Sequence, residues 1–146
     1  MYSTIKMLHS YWAYLVVIML FVAVINALIG FVKKKEYSAK DFRISLFTLI
    51  VSHIQLLIGL LLYFVSPKFD NWSIMGSEVM KTADVRLYLV EHPLINIIAI
   101  VLITIGYSKH KKKLTSSPKY KMILIYYVLA LICLLSRIPW DVWPKF

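Results

Sequence analysis

The fold that this 146-residue sequence predicts is an all-α integral membrane protein, a single-domain four-helix up-down bundle with both termini outside. Three observations predict it. Hydrophobic residues make up 60% of the chain and the mean hydropathy is +0.73, well outside the range of water-soluble domains. The apolar residues gather into four runs, Leu8–Val32, Ile44–Val65, Leu87–Tyr107 and Met122–Leu135, near the ~20 residues that carry a helix across ~30 Å of hydrocarbon. The formal charge of +10 is concentrated in the connections between runs. The period-two alternation of a membrane β-barrel is absent.

The first run predicts a helix over about residues 4–32. It is too long for the apolar core of a cleaved signal peptide, and no small-x-small site precedes Lys33, Lys34 and Lys35. The second helix, about 41–65, has a readable start. Ser38 and Asp41 have the spacing of a capping box, and Ser66–Pro67 ends the run. Helices three and four are expected over about 84–107 and 118–138, the last with Ser117 as cap and Pro118 in its first turn, where a missing N–H costs nothing. The long connection from Lys68 to Asp84 carries Trp72 and Met75 and reads as a segment lying on the membrane surface.

Charge sets the expected orientation. Lys33, Lys34, Lys35, Lys40 and Arg43 follow run one, and Lys109, Lys111, Lys112, Lys113, Lys119 and Lys121 follow run three. In the second connection Lys68, Lys81 and Arg86 are balanced by Asp70, Glu78 and Asp84. The positive-inside rule makes the first and third connections cytoplasmic, with their lysines at anionic headgroups. These tracts lack interleaved aromatics on an exposed domain, so no nucleic-acid partner is expected. Cys133 is the only cysteine, which excludes a disulfide framework and c-type haem attachment. Neither a phosphate-cradling glycine loop nor a G-x-S-x-G elbow occurs.

Helices in lipid associate through close approach and hydrogen bonding, so small and polar residues mark packing faces. In helix one the stripe is His9, Ala13, Val16, Leu20, Ala23, Ala27 and Gly30. In helix three it is His92, Asn96, Ala99, Ile103 and Gly106, and in helix two Ser45, Thr48, Ser52, Gln55 and Gly59. His53, ~100° round from Ser52, should look into a different gap.

His9, His53 and His92 are the candidate metal-ligating residues, because an ionisable side chain within a membrane span is costly and points to function. His110, among lysines, reads as a solvated loop residue. Imidazoles inside a small bundle suit haem b or another transition metal, and the small-residue stripes offer a slot. Arg86 and Arg137 are placed to hold haem propionates, with Trp140 and Trp143 as interface anchors. Tyr11, Trp12 and Tyr88 read as belt residues or as the lining of a quinone or haem edge.

Depth separates the candidates. At the α-helical rise, His53 lies about 15 Å above Arg43, His92 about 26 Å above Lys109 and His9 about 36 Å above Lys33. Neighbouring pairs are mismatched by roughly 10 Å, so a shared haem needs a kink, a ragged inner boundary or a tilted plane. The ligand pair stays unassigned, with His9 and His92 preferred and His53 with His92 next. Pro93 frees the carbonyl of Leu89 if it lies within the helix, or sits harmlessly in a first turn. Glu91 is a partner for Arg86 or Arg137, an acceptor behind a histidine, or a proton-transfer group.

The stretches "MLHSYWAYLVV" (Met7–Val17), "SHIQLLIGLLLYFVSP" (Ser52–Pro67), "RLYLVEHPLINIIAIVLITIGYSKHKKK" (Arg86–Lys113) and "SRIPW" (Ser136–Trp140) together resemble a family of small four-helix membrane proteins of Bacteroidetes-type bacteria labelled cytochrome b or cytochrome b-like. The resemblance implies haem carried by His9, His53 or His92, electron transfer with a quinone or partner protein, and a bacterial inner membrane. The helix-one histidine is also similar to that of the haem-binding protoporphyrinogen oxidase and copper-export membrane domain families. Those likenesses imply a haem-dependent oxidase of a porphyrin intermediate, or a copper-handling accessory subunit, in place of an electron carrier. Whether the chain is an enzyme, and whether it oligomerises, stay open.

Overall fold

The structure is a computed structural model that describes residues 1–144. It is all-helical, with no strand among the described residues. Four helices are long and apolar enough to cross a membrane, which makes this a multi-pass membrane protein: α1 (Tyr2–Val32), α2 (Ala39–Val65), α3 (Ala83–Lys111) and α4 (Ser116–Ser136). Helix α1 packs on α2 and α4, and α3 packs on α4 and α2. The connection between α2 and α3 is a chain of short turns, Pro67–Asp70, Asn71–Met75 and Gly76–Met80. Gly76 takes a positive φ of 55° where two of them meet.

The stripes of small and polar residues face inward. The buried residues of α1 are Val16, Leu20, Ala23, Ala27 and Gly30, all in its stripe. In α3, Ala99, Ile103 and Gly106 are buried, and in α2 Ser45, Thr48 and Ser52. Large apolar side chains such as Leu57, Phe64 and Ile132 point outward, as they must where lipid is the solvent. The hydroxyls of the α2 stripe bond backbone carbonyls: Thr48 Oγ1 donates to Ile44 and reaches the Met19 carbonyl of α1 at 3.2 Å, and Ser52 Oγ donates to Thr48. Each hydroxyl thus buries no unmet polar group.

Two glycines set how closely α4 approaches its neighbours. A Cβ at Gly30 would lie 2.3 Å from the Tyr120 ring, and one at Gly106 2.4 Å from the Tyr126 Cβ. The glycines offered by the sequence as walls of a slot are therefore occupied by tyrosines. They also explain the depth problem. Tyr120 and Tyr126 are about 9 Å apart along α4, so the basic ends of α1 and α3 are staggered by nearly the amount by which His9 and His92 seemed mismatched. The inner boundary is ragged, and counting from the lysines carried the error.

The basic end is tied by a polar node. The Asp41 carboxylate accepts from Asn26 Nδ2 at 2.8 Å, the Ser38 N–H at 2.8 Å and the Tyr120 hydroxyl at 2.8 Å. The expected capping pair is thus extended to three helices. Beside it, His110 is fully buried, contrary to the solvated loop position expected for it. Helix α3 runs on to Lys111, and the imidazole is enclosed by Tyr37, Phe42 and Tyr107. Its Nε2 pairs with the Tyr37 hydroxyl at 2.8 Å and its Nδ1 with the Tyr107 carbonyl. The lysines around it lie over aromatic faces instead, Lys111 on Tyr107 and Lys119 on Tyr37. The start of α4 also differs from expectation: Thr115 is the cap residue, while the Ser116 hydroxyl accepts the Tyr37 N–H at 2.8 Å. That bond joins the two basic connections.

Candidate metal centre

At the opposite end, α1 and α3 bring His9 and His92 together. Their ring centroids are 6.2 Å apart and the planes stand at 83°. Two imidazoles bound on opposite sides of one metal ion, with metal–nitrogen bonds of ~2.0–2.1 Å and each ring centre ~1.1 Å beyond, would be about 6.3 Å apart. The observed centroid separation is close to that value.

The sequence places His92 through Pro93. A proline within a helix lacks an N–H for the carbonyl four residues back and crowds it. Helix α3 answers with a π turn over Leu87–Glu91, in which the His92 N–H bonds the Leu87 carbonyl. The orphaned Leu89 carbonyl accepts the Tyr63 hydroxyl of α2 at 2.9 Å, and the Trp72 indole N–H donates to that same hydroxyl at 2.9 Å. Such single-turn π insertions re-aim side chains and gather at functional sites.

The His92 ring is oriented from behind. His92 Nδ1 faces the Arg137 carbonyl at 2.9 Å, a pairing in which Nδ1 carries the proton and Nε2 keeps its lone pair. The Asn96 amide donates to the His92 carbonyl at 2.6 Å and lies 3.2 Å from Nδ1. His9 lies against Gly59, where a Cβ would come within 3.2 Å of its Cε1. Gln55 Nε2 donates to the His9 carbonyl at 2.9 Å. His9 Nδ1 and Gln55 Oε1 are the two buried side-chain atoms left without a partner among the described residues.

Val16, Ser52 and Ala99 are buried, whereas His9, Ala13, Gln55, Gly59, His92 and Asn96, all on the inward stripes, are half-buried.

Glu91 pairs with both arginines, Arg86 Nε at 2.8 Å and Arg137 Nε at 3.7 Å. Arg86 Nη1 also donates to the Met80 carbonyl and Arg137 Nη1 to that of Ser136. One guanidinium nitrogen on each stays unbonded among the described residues.

His53 does not join the pair. Its Nδ1 bonds the Leu49 carbonyl at 2.8 Å and its Nε2 the Thr104 hydroxyl at 3.2 Å. Thr104 lies about 18 Å along α3 from His92, so His53 bridges α2 and α3 deep in the bundle, in the separate gap that its phase implied. Trp12 is half-buried and donates to the Val51 carbonyl at 2.8 Å, tying α1 to α2. Tyr11 is exposed and Tyr88 lies under Lys68. Trp143 folds back onto α1, donating to the Ser10 carbonyl at 3.2 Å and stacking near Tyr14.

Sequence reasoning missed Gln55 as the neighbour of His9 and Tyr63 as the partner of Leu89. The first was detectable, since Gln55 and Gly59 stand one turn apart on an inward stripe. No group of three or more His, Cys, Asp or Glu residues able to hold a metal exists among the described residues, so the candidate centre is a two-histidine one. No family model, curated protein or solved structure matches the chain.

Proposed function

We propose that the chain is a b-type haem protein of a bacterial inner membrane that passes electrons between a quinol or partner protein and an acceptor, with His9 and His92 as the residues that would hold the haem iron. The observation that supports this most is the pair of perpendicular imidazoles whose centroids are 6.2 Å apart. When bound, haem b supplies a one-electron iron couple whose potential is set by its axial ligands, their hydrogen bonds and the polarity around them.

In this reading the chain's own residues have distinct jobs. The Arg137 carbonyl holds the His92 ring in the tautomer that leaves Nε2 as a donor. Gln55 Oε1, unpartnered on a side chain that bonds the His9 carbonyl, would accept an Nδ1–H once His9 held the iron. The unbonded guanidinium nitrogens of Arg86 and Arg137 would hold propionates, while Glu91 pairs with both arginines. The basic end faces the cytoplasm, the helices cross alternately up and down, and both termini and the histidine pair lie on the outer side.

The deciding experiment is a visible spectrum of protein purified after expression with ample haem. A reduced-minus-oxidised Soret shift with near-stoichiometric haem is expected. Haem-free protein would overturn the reading, and copper recovered by metal analysis would favour copper handling.

A further inference from the structure

A groove on the outer face of the bundle at its basic end is lined by Met19 of α1 and by Lys40, Arg43, Ile44, Phe47 and Ile50 of α2. Its floor and walls are apolar, and its mouth carries two cations one helical turn apart. Neither Lys40 nor Arg43 has an ion-pair partner among the described residues. The acid between them in sequence, Asp41, is turned inward and taken up by Asn26, Ser38 and Tyr120. The two charges are therefore uncompensated on the outward face, where α2 emerges from its apolar run.

We propose that this groove binds one anionic phospholipid, its phosphate held by Lys40 and Arg43 and one acyl chain laid along Ile44, Phe47 and Ile50. The dimensions agree: Lys40 to Ile50 spans about 15 Å at the α-helical rise, half of a ~30 Å hydrocarbon core and so the depth of one leaflet. The charge agrees as well, because two uncompensated cations at headgroup level attract an anionic lipid. A free phosphate satisfies the mouth but leaves the apolar groove unfilled, so the lipid is the occupant that uses both parts.

The test is lipid retention by the full chain in nanodiscs of phosphatidylcholine and phosphatidylglycerol, read by native mass spectrometry after detergent extraction. Phosphatidylglycerol should be retained over phosphatidylcholine, with retention falling about fivefold for each cation removed in Lys40→Gln and Arg43→Gln. The pair Lys112→Gln and Lys113→Gln, which removes the same charge outside the groove lining, should lower retention less than the groove pair. Phe47→Ala should weaken retention with the cations intact. Equal losses from both charge-removing pairs would reduce the effect to net charge and overturn the proposal. So would unchanged retention in Lys40→Gln with Arg43→Gln, or displacement of the lipid by inorganic phosphate alone.

Discussion

The His9 and His92 rings face each other at 6.2 Å, almost perpendicular, although their helices lie diagonally across the bundle. In the proposed haem reading, replacing either ring by alanine removes one of the two residues that would hold the iron. His9→Ala and His92→Ala should each lose at least roughly tenfold in haem retention, read as Soret absorbance per protein. His53→Ala, which removes a helix bridge instead, should keep the spectrum.

Gln55→Leu keeps the volume but deletes the acceptor placed at His9. The protein should still bind haem, with affinity lowered by about 10- to 100-fold as for other groups behind a metal ligand and with a shifted midpoint potential. Haem titration and a potentiometric titration measure the two effects. An unchanged potential with intact haem would remove Gln55 from the site without touching the histidine pair.

Tyr63→Phe takes away the hydroxyl that satisfies the Leu89 carbonyl. Leaving that acceptor unmet in the π turn should cost about 1–3 kcal/mol, seen as a lower Tm in detergent. Because the turn aims His92, the haem spectrum should broaden even where the bundle stays folded.

Gly30→Ala sets a methyl group 2.3 Å from the Tyr120 ring. Overpacking of this kind costs about 1–3 kcal/mol, and the ring that must move also bonds Asp41. A thermal melt of Gly30→Ala beside Leu114→Ala, a change at an exposed loop position, provides the comparison.

Tyr37, in the connection between α1 and α2, has its phenol pushed up to about 12, first by burial, with the Asp41 and Tyr107 charges adding and a Ser45 hydrogen bond opposing. Its ordinary value is 10.0, so between these two values the unfolded chain releases a proton that the folded one keeps. The Tyr37 contribution is fully present below the lower value and is lost as pH rises through the upper one. Alkaline unfolding should therefore come at lower pH for the wild type than for Tyr37→Phe once their neutral-pH stabilities are matched.

Much of the bundle was legible because lipid forces a simple code on helices. Ala23, Ala27, Ala99 and Ile103 fell on inward stripes by spacing alone, and all are buried. His110 was misread because its sequence neighbours are lysines, while two of the three aromatics that enclose it, Tyr37 and Phe42, are distant in sequence. The level of the histidines was misjudged because the ruler began at charged residues, whereas the bundle is registered by Gly30 on Tyr120 and Gly106 on Tyr126. Pro93 announced a disturbed helix and named the stranded carbonyl. Whether the answer would be a kink or a π turn depended on Tyr63, which only the tertiary structure supplies.

The two glycine contacts make helix length itself a determinant of the centre. His9 stands 21 residues from Gly30, and His92 stands 14 from Gly106. Both intervals are whole heptads, so each histidine shares a face with its glycine, and the seven-residue difference is about 10 Å. The offset between Tyr120 and Tyr126 nearly cancels it. Excising one heptad from α1 would preserve every face and every hydropathy pattern, yet lower His9 by those same 10 Å and part it from His92. The spacing of the pair is thus written in the relative lengths of three helices rather than in any local motif.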